Sequence, residues 1–330
     1  MSMDILKRQI KDKKIDRLYL FFGEEEYLIN YYIKEIQKII VPSGTEDFNL
    51  AVVEGKDGID GILPICESLP VFAERKLVIV KESGVFRKQG NSELEQFFQN
   101  VPDYICIVFC ESEVDKRLKL YKLAEKAGTV VEFSYQEPKT LAKWIIKGFG
   151  LKGKNIDYDT AMLLVEYSEP GMTSIYNEIE KITAFLGDRN TVTPADIEAV
   201  CIKTLKSRIF DLTDAVAARD SRKALSLLND MINLKEPVPR IMYMIVRQLR
   251  QIFETKYLLK NKATRDDIAR VLGVSSFVAG KLEKQARYFS EEDIKKYVKI
   301  CLETDENIKT WRINDRTAVE LLLGDIISKK

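Results

Sequence analysis

Leu18-Tyr19-Leu20-Phe21-Phe22-Gly23-Glu24-Glu25-Glu26 decides the architecture. An apolar run of this length, followed by a glycine, reads as a strand covered on both faces. The acidic triplet then opens a helix carrying Tyr27, Leu28, Tyr31, Ile33 and Ile36. Strand, glycine, helix is the layout of a phosphate-binding turn, but the chemistry of such a turn is missing. A nucleotide loop needs a second glycine followed by Lys and Ser or Thr, so that backbone amides and an ammonium surround the phosphates. Here Gly23 is followed by three glutamates, whose carboxylates repel phosphate and suit the positive end of the helix dipole. The expectation is a nucleotide-fold scaffold whose loop (Gly23, Glu24, Glu25) binds no nucleotide.

Further strands are expected at 50–53, 77–80, 104–109 and 129–133, separated by helical patterns, among them one at 116–127 stopped by Gly128. Strands alternating with helices imply a mostly parallel sheet with helices on both faces. Residues 84–90 read as a surface loop. After Phe133 the strand signals stop, and Gln136-Glu137-Pro138 reads as a linker. Helical spacing then dominates, at 158–167, 172–186 and from Thr193-Pro194-Ala195-Asp196, which combines a hydroxyl cap, a first-turn proline and a carboxylate at the third position. A second helical block follows, with helices at 224–234, 240–259, 291–305 and 311–328.

Ser68-Leu69-Pro70-Val71-Phe72-Ala73-Glu74-Arg75 lies between one helix and the 77–80 strand. Pro70 lacks an amide hydrogen and disfavours helical dihedrals at Leu69, so a helix beginning near Asp60 should stop at about Ser68. Leu69, Val71 and Phe72 then sit on a connector at the end of the sheet. They either fold back to cap the core or stand out as an anchor for a partner's pocket.

Composition narrows the function. The 330 residues allow two or three domains, and 52 basic residues against 51 acidic ones argue against a general nucleic-acid coat or a membrane-surface protein. No long apolar span or leader pattern is present, so the simplest location is cytoplasmic. Cys66, Cys106, Cys110, Cys201 and Cys301 are scattered, with no metal or disulfide spacing. Histidine is absent, which removes Ser-His and Cys-His nucleophiles and His-ligated metals. No catalytic residue, metal site or cofactor is expected. An NTP-dependent enzyme using Gly23 is disfavoured by the missing Lys-Ser. The segment 264–284, with Ala269 and Gly273 at helix-turn-helix spacing, leaves sequence-specific DNA binding as the alternative to a plain helical hairpin.

Taken together, the series resembles the delta-subunit family of the bacterial DNA polymerase III clamp loader over nearly the whole chain. Tyr19-Leu20-Phe21-Phe22-Gly23-Glu24-Glu25 resembles its opening strand and degenerate loop. Ser68 through Val80 resembles its clamp-contacting element, with Val71-Phe72 as the apolar pair before Ala73-Glu74-Arg75. Asp115-Lys116-Arg117, Asn177-Glu178-Ile179-Glu180-Lys181, Phe210-Asp211-Leu212-Thr213-Asp214-Ala215 and Gln248-Leu249-Arg250 resemble further landmarks. The resemblance implies an AAA+-like parallel-sheet α/β domain with a degenerate nucleotide loop (1–137), followed by two all-α domains, a lid (138–207) and an oligomerising collar (208–330). It implies a DNA replication subunit that binds and opens the beta sliding clamp through Leu69, Pro70, Val71 and Phe72. The implied partners are the delta-prime and gamma/tau motor subunits and primer-template DNA, with no membrane. The motor subunits carry a Walker loop and a cysteine zinc module, and delta-prime a Ser-Arg-Cys finger, none of which is in this sequence. With the family in view, the anchor reading of the tip is favoured over the core-cap reading.

Overall fold

The computed structural model describes residues 2–55, 61–88, 92–201 and 205–328. The chain divides into two compact units, one of Met1–Gln136 with Gly171–Thr173, the other of Glu137–Pro170 with Ser174–Lys330.

The first unit runs α1 (Ser2–Lys11), β1 (Leu18–Phe22), α2 (Glu26–Ile40), α3 (Glu46–Asn49), β2 (Leu50–Glu54), α4 (Ile62–Glu67), β3 (Lys76–Lys81), α5 (Ser92–Gln99), β4 (Ile105–Glu111), α6 (Lys119–Ala127) and β5 (Thr129–Glu132). The strands form one sheet in the order β2-β3-β4-β1-β5, every pair parallel, with Leu20 opposite Phe109 and Val130, and Val78 opposite Ile107. Alternate side chains feed two cores. Tyr19, Phe21, Leu77, Ile79 and Val108 meet Leu6 of α1 and Ile29, Ile33 and Ile36 of α2. Leu18, Leu20, Val78, Val80 and Phe109 meet Ile62 of α4, Phe98 of α5 and Leu120 of α6. Burial on both faces is why the central strands are unbroken apolar runs.

One local expectation needs correction. The 84–90 segment is not a surface loop throughout, since Val85 and Phe86 are buried in the second of these cores. The Phe86 carbonyl accepts the Asp115 amide, which turns the segment inward between charged flanks. On α2 the inward stripe is Ile29, Tyr32, Ile33, Ile36 and Ile40, leaving Tyr31 exposed. Asp60, Gln89 and Gly90 lie outside the described residues.

The second unit is helical: α7 (Pro138–Leu151), α8 (Tyr158–Tyr167), α9 (Met172–Leu186), α10 (Pro194–Val200), α11 (Leu205–Ala217), α12 (Ser221–Asn233), α13 (Val238–Lys260), α14 (Arg265–Leu272), α15 (Ser276–Tyr288), α16 (Glu291–Lys309) and α17 (Asp315–Ser328). The first residues of α9 cluster with the sheet unit. α10 starts with the capping box expected from the sequence, Thr193 and Asp196 each bonding the other's backbone amide. The expected division after residue 207 falls inside α11, which is continuous from Leu205. Trp311, expected to begin the last helix, instead lies between α16 and α17, 93% exposed at φ +58°. Among the described residues no helix is long and apolar enough to cross a membrane.

Candidate functional site

α4 ends where Pro70 requires it to, with Ser68 already extended at ψ 131°. The chain then turns outward. Leu69 is 69% exposed, Val71 is exposed, Pro70 is half-buried, and Phe72 is 90% exposed at φ +55°. A large side chain in the left-handed region is uncommon and strained. Nor is the loop slack. The Asn49 side-chain amide donates to the Val71 carbonyl (2.7 Å), and its oxygen accepts the Val71 amide (2.9 Å). The Arg75 guanidinium donates to the carbonyls of Ile15 (2.7 Å), Asp16 (2.8 Å) and Ile105 (2.8 Å). Buried Lys76 donates to Ser68 Oγ and to the Ile65 carbonyl, so its charge sits at the C-terminal end of the α4 dipole. The four expected tip residues are therefore together on a fastened loop, with the apolar ones directed away from the core. Asn49 was missed from sequence, where one polar residue between Phe48 and Leu50 gives no periodic signal.

The Gly23 turn is closed from within. Gly23 has φ +121°, and a Cβ there would lie 2.4 Å from the Phe133 carbonyl oxygen. Its amide donates to the Glu111 carbonyl (3.1 Å) and the Glu25 amide to the Phe133 carbonyl (2.9 Å). Two backbone donors of the turn, those of Gly23 and Glu25, are thus already engaged within the fold. Glu25 is buried, its carboxylate accepting the Met172 amide (3.0 and 3.1 Å). Burial raises its pKa above the usual carboxylate value, against the lowering effect of those amides. Beside the turn lies a cavity of about 190 Å³ lined by Glu26, Lys81, Glu82, Glu111 and Ser112 among others, below the roughly 300 Å³ at which ligand pockets usually begin. Glu111 is itself satisfied by the Ser83 amide (3.0 Å), the Ser83 hydroxyl and the Gly84 amide (3.1 Å).

The segment 264–284 does form helix, turn, helix. Gly273 takes the left-handed cap of α14 (φ 64°) and Ser275 caps α15. However, α15 packs on α8, α11, α13 and α14 and buries Val278, Ala279, Leu282, Gln285 and Ala286. Its Lys281 lies over the Phe277 ring (4.6 Å) and pairs with Glu198 (3.3 Å). The packing of α15, with Lys281 already paired, favours the plain helical hairpin over the DNA-recognition alternative. Its Gln285 instead joins two motifs found in the sequence. It donates to Asp214 (2.6 Å) and to the Phe210 carbonyl (3.3 Å), and accepts from Gln248 (2.7 Å). Asp115 and Arg117 form a two-pronged pair on the surface (2.9 and 2.7 Å), and Arg117 draws the Asp115 pKa down to about 2. Glu178 pairs with Lys181 (2.7 Å).

A parallel-sheet α/β unit whose Gly23 turn is tied down by its own backbone, followed by a helical unit, defines the class of fold. Two profiles match the chain: DNA polymerase III, delta subunit, over residues 19–134, and DNA polymerase III delta subunit, C-terminal domain, over residues 206–326. The chain is 28% identical over 340 residues to DNA polymerase III subunit delta of Bacillus subtilis, covering 100% of this chain and 98% of that protein. It is 19% identical over 296 residues to the probable DNA polymerase III subunit delta of Aquifex aeolicus, covering 86% and 83%. The solved DNA clamp loader delta protein of Bacillus subtilis matches over 100% of both chains, with a TM-score of 0.50 and 27% identity. The chain belongs to the DNA polymerase III delta-subunit family, a component of the clamp loader.

Proposed function

We propose that the chain grips the beta sliding clamp through Leu69, Pro70, Val71 and Phe72 and traps the ring open for loading onto primed DNA, without hydrolysing ATP itself. The observation that carries the reading is Phe72, a phenyl ring almost wholly in water on a loop fastened on both sides. An exposed aromatic anchor held rigid gives up little conformational entropy on docking, and its burial in a partner pocket is worth roughly 1.5–3 kcal/mol. Opening then follows from differential binding, since a wedge shifts a ring's equilibrium only by as much as it prefers the open protomer. The engaged amides of the Gly23 turn support a chain with no ATP chemistry of its own, leaving hydrolysis and timing to the gamma/tau siblings. In the helical unit, 138–207 acts as a lid and 208–330 as a collar joining gamma/tau and delta-prime. The assembled complex works on primer-template DNA in the cytoplasm.

The test is binding of the purified chain to its cognate clamp, wild type beside a Val71→Ser/Phe72→Ser variant, with melts of both. Loss of binding at an unchanged melt is expected. A variant that binds normally removes the wedge. Calorimetry with magnesium-ATP should give no binding heat, and tight binding would restore the enzyme reading.

A further inference from the structure

Phe72 is held in an unfavourable backbone conformation, and its own side chain does not hold it there. The ring is nine-tenths exposed, so packing contributes little, and a residue with a Cβ at φ +55° relaxes to negative φ when released. Fixed backbone on either side opposes that relaxation. Downstream the anchor is Arg75, tied to three carbonyls. Upstream it is Asn49, the last residue of α3, which is itself wholly buried. Its side-chain amide takes both polar backbone groups of Val71, one as donor and one as acceptor, as an adjacent strand would. No other side chain type of this length offers a donor and an acceptor in one plane. Ionised aspartate keeps only the acceptor, and alanine keeps neither.

We infer that Asn49 is a positioning residue for clamp binding: by clamping Val71 it pre-organises Phe72 in its projecting, left-handed state without reaching the partner. The inference rests on the reading of the tip as the clamp anchor. Its signature differs from that of a contact residue. Removing a contact mainly speeds dissociation. Removing Asn49 lowers the fraction of chains with a competent tip, and apparent affinity falls by that fraction. Once docked, the partner holds the tip, so dissociation is little changed. A single residue released from the left-handed region shifts the balance by about tenfold.

The experiment measures association and dissociation rates of the full chain on immobilised cognate sliding clamp for wild type, Phe72→Ala, Asn49→Ala and Asn49→Asp, with a melt of each. The expected result is faster dissociation for Phe72→Ala, and association slowed about tenfold at near wild-type dissociation for both Asn49 variants. Asn49→Asp, equal in size and assayed under alkaline conditions that ionise its carboxyl, keeps the site filled if the alanine variant folds poorly. Wild-type association rates in the Asn49 variants, or a change confined to dissociation, would overturn the inference while leaving the anchor standing. Wild-type binding by Phe72→Ala would instead remove the anchor reading beneath it.

Discussion

Replacing Phe72 by glycine should make the protein more stable and less able to bind its clamp. An L-residue in the left-handed region carries roughly 1–2 kcal/mol of strain, and Phe72 sits there at φ +55°. Glycine removes that strain but adds about 0.5–1 kcal/mol of backbone entropy to the unfolded chain. The phenyl ring, 90% exposed, contributes almost no burial to offset the exchange. The net expectation is a gain of about 0.5–1 kcal/mol, read as a rise of roughly 1–4 °C in the melting of the sheet unit. Clamp affinity should fall by about 2–4 kcal/mol, the range of aromatic hot spots, or roughly 30- to 1000-fold. Calorimetric melts and clamp binding on the same preparations check both numbers. A melt lowered by several degrees with affinity retained would mean that the ring supports the core, and the reasoning about the tip would fail.

Gln285→Leu should destabilise the helical unit by about 1–3 kcal/mol in urea unfolding followed by helical circular dichroism, because it leaves the buried Gln248 side chain without its partner and removes the bonds to the Phe210 carbonyl and to Asp214. A change below about 0.5 kcal/mol would refute this. Glu111→Gln tests pH linkage. Burial raises the Glu111 pKa above 4.5, against hydrogen bonds from Ser83 and Gly84. The folded state therefore holds this proton more tightly than the unfolded one, and wild-type stability falls as pH rises from 4.5 through the raised value. Glutamine has no such slope, so the stability of wild type relative to the variant should decline across that window and level off above it. A difference independent of pH would count against a buried carboxylate here.

The sheet was legible because each central strand is buried on both faces and so appears as an unbroken apolar run. β1 is apolar from Leu18 to Phe22 with no residue out of place. α8 and α9 were legible from helical periodicity, and the start of α10 from its capping residues Thr193 and Asp196. Phe86 was hidden by its neighbours, since glycines and basic residues around an apolar pair look like solvent-facing loop. Trp311 was misplaced because helical spacing continues across a left-handed break that no glycine marks. At the tip, sequence could place Leu69, Val71 and Phe72 on a connector but could not tell cap from anchor. That distinction depends on Asn49, Arg75 and Lys76, whose bonds join residues far apart in the chain.

The fastened loop also bears on how such a subunit changes over time. Everything that shapes the tip comes from backbone groups and from side chains behind it, so the exposed positions carry little of the folding energy. On the proposed reading of the tip, Leu69, Val71 and Phe72 can therefore vary in size with a partner's pocket, with few compensating changes elsewhere. Under that proposal the lock and its key can coevolve at two or three positions while the scaffold stands still.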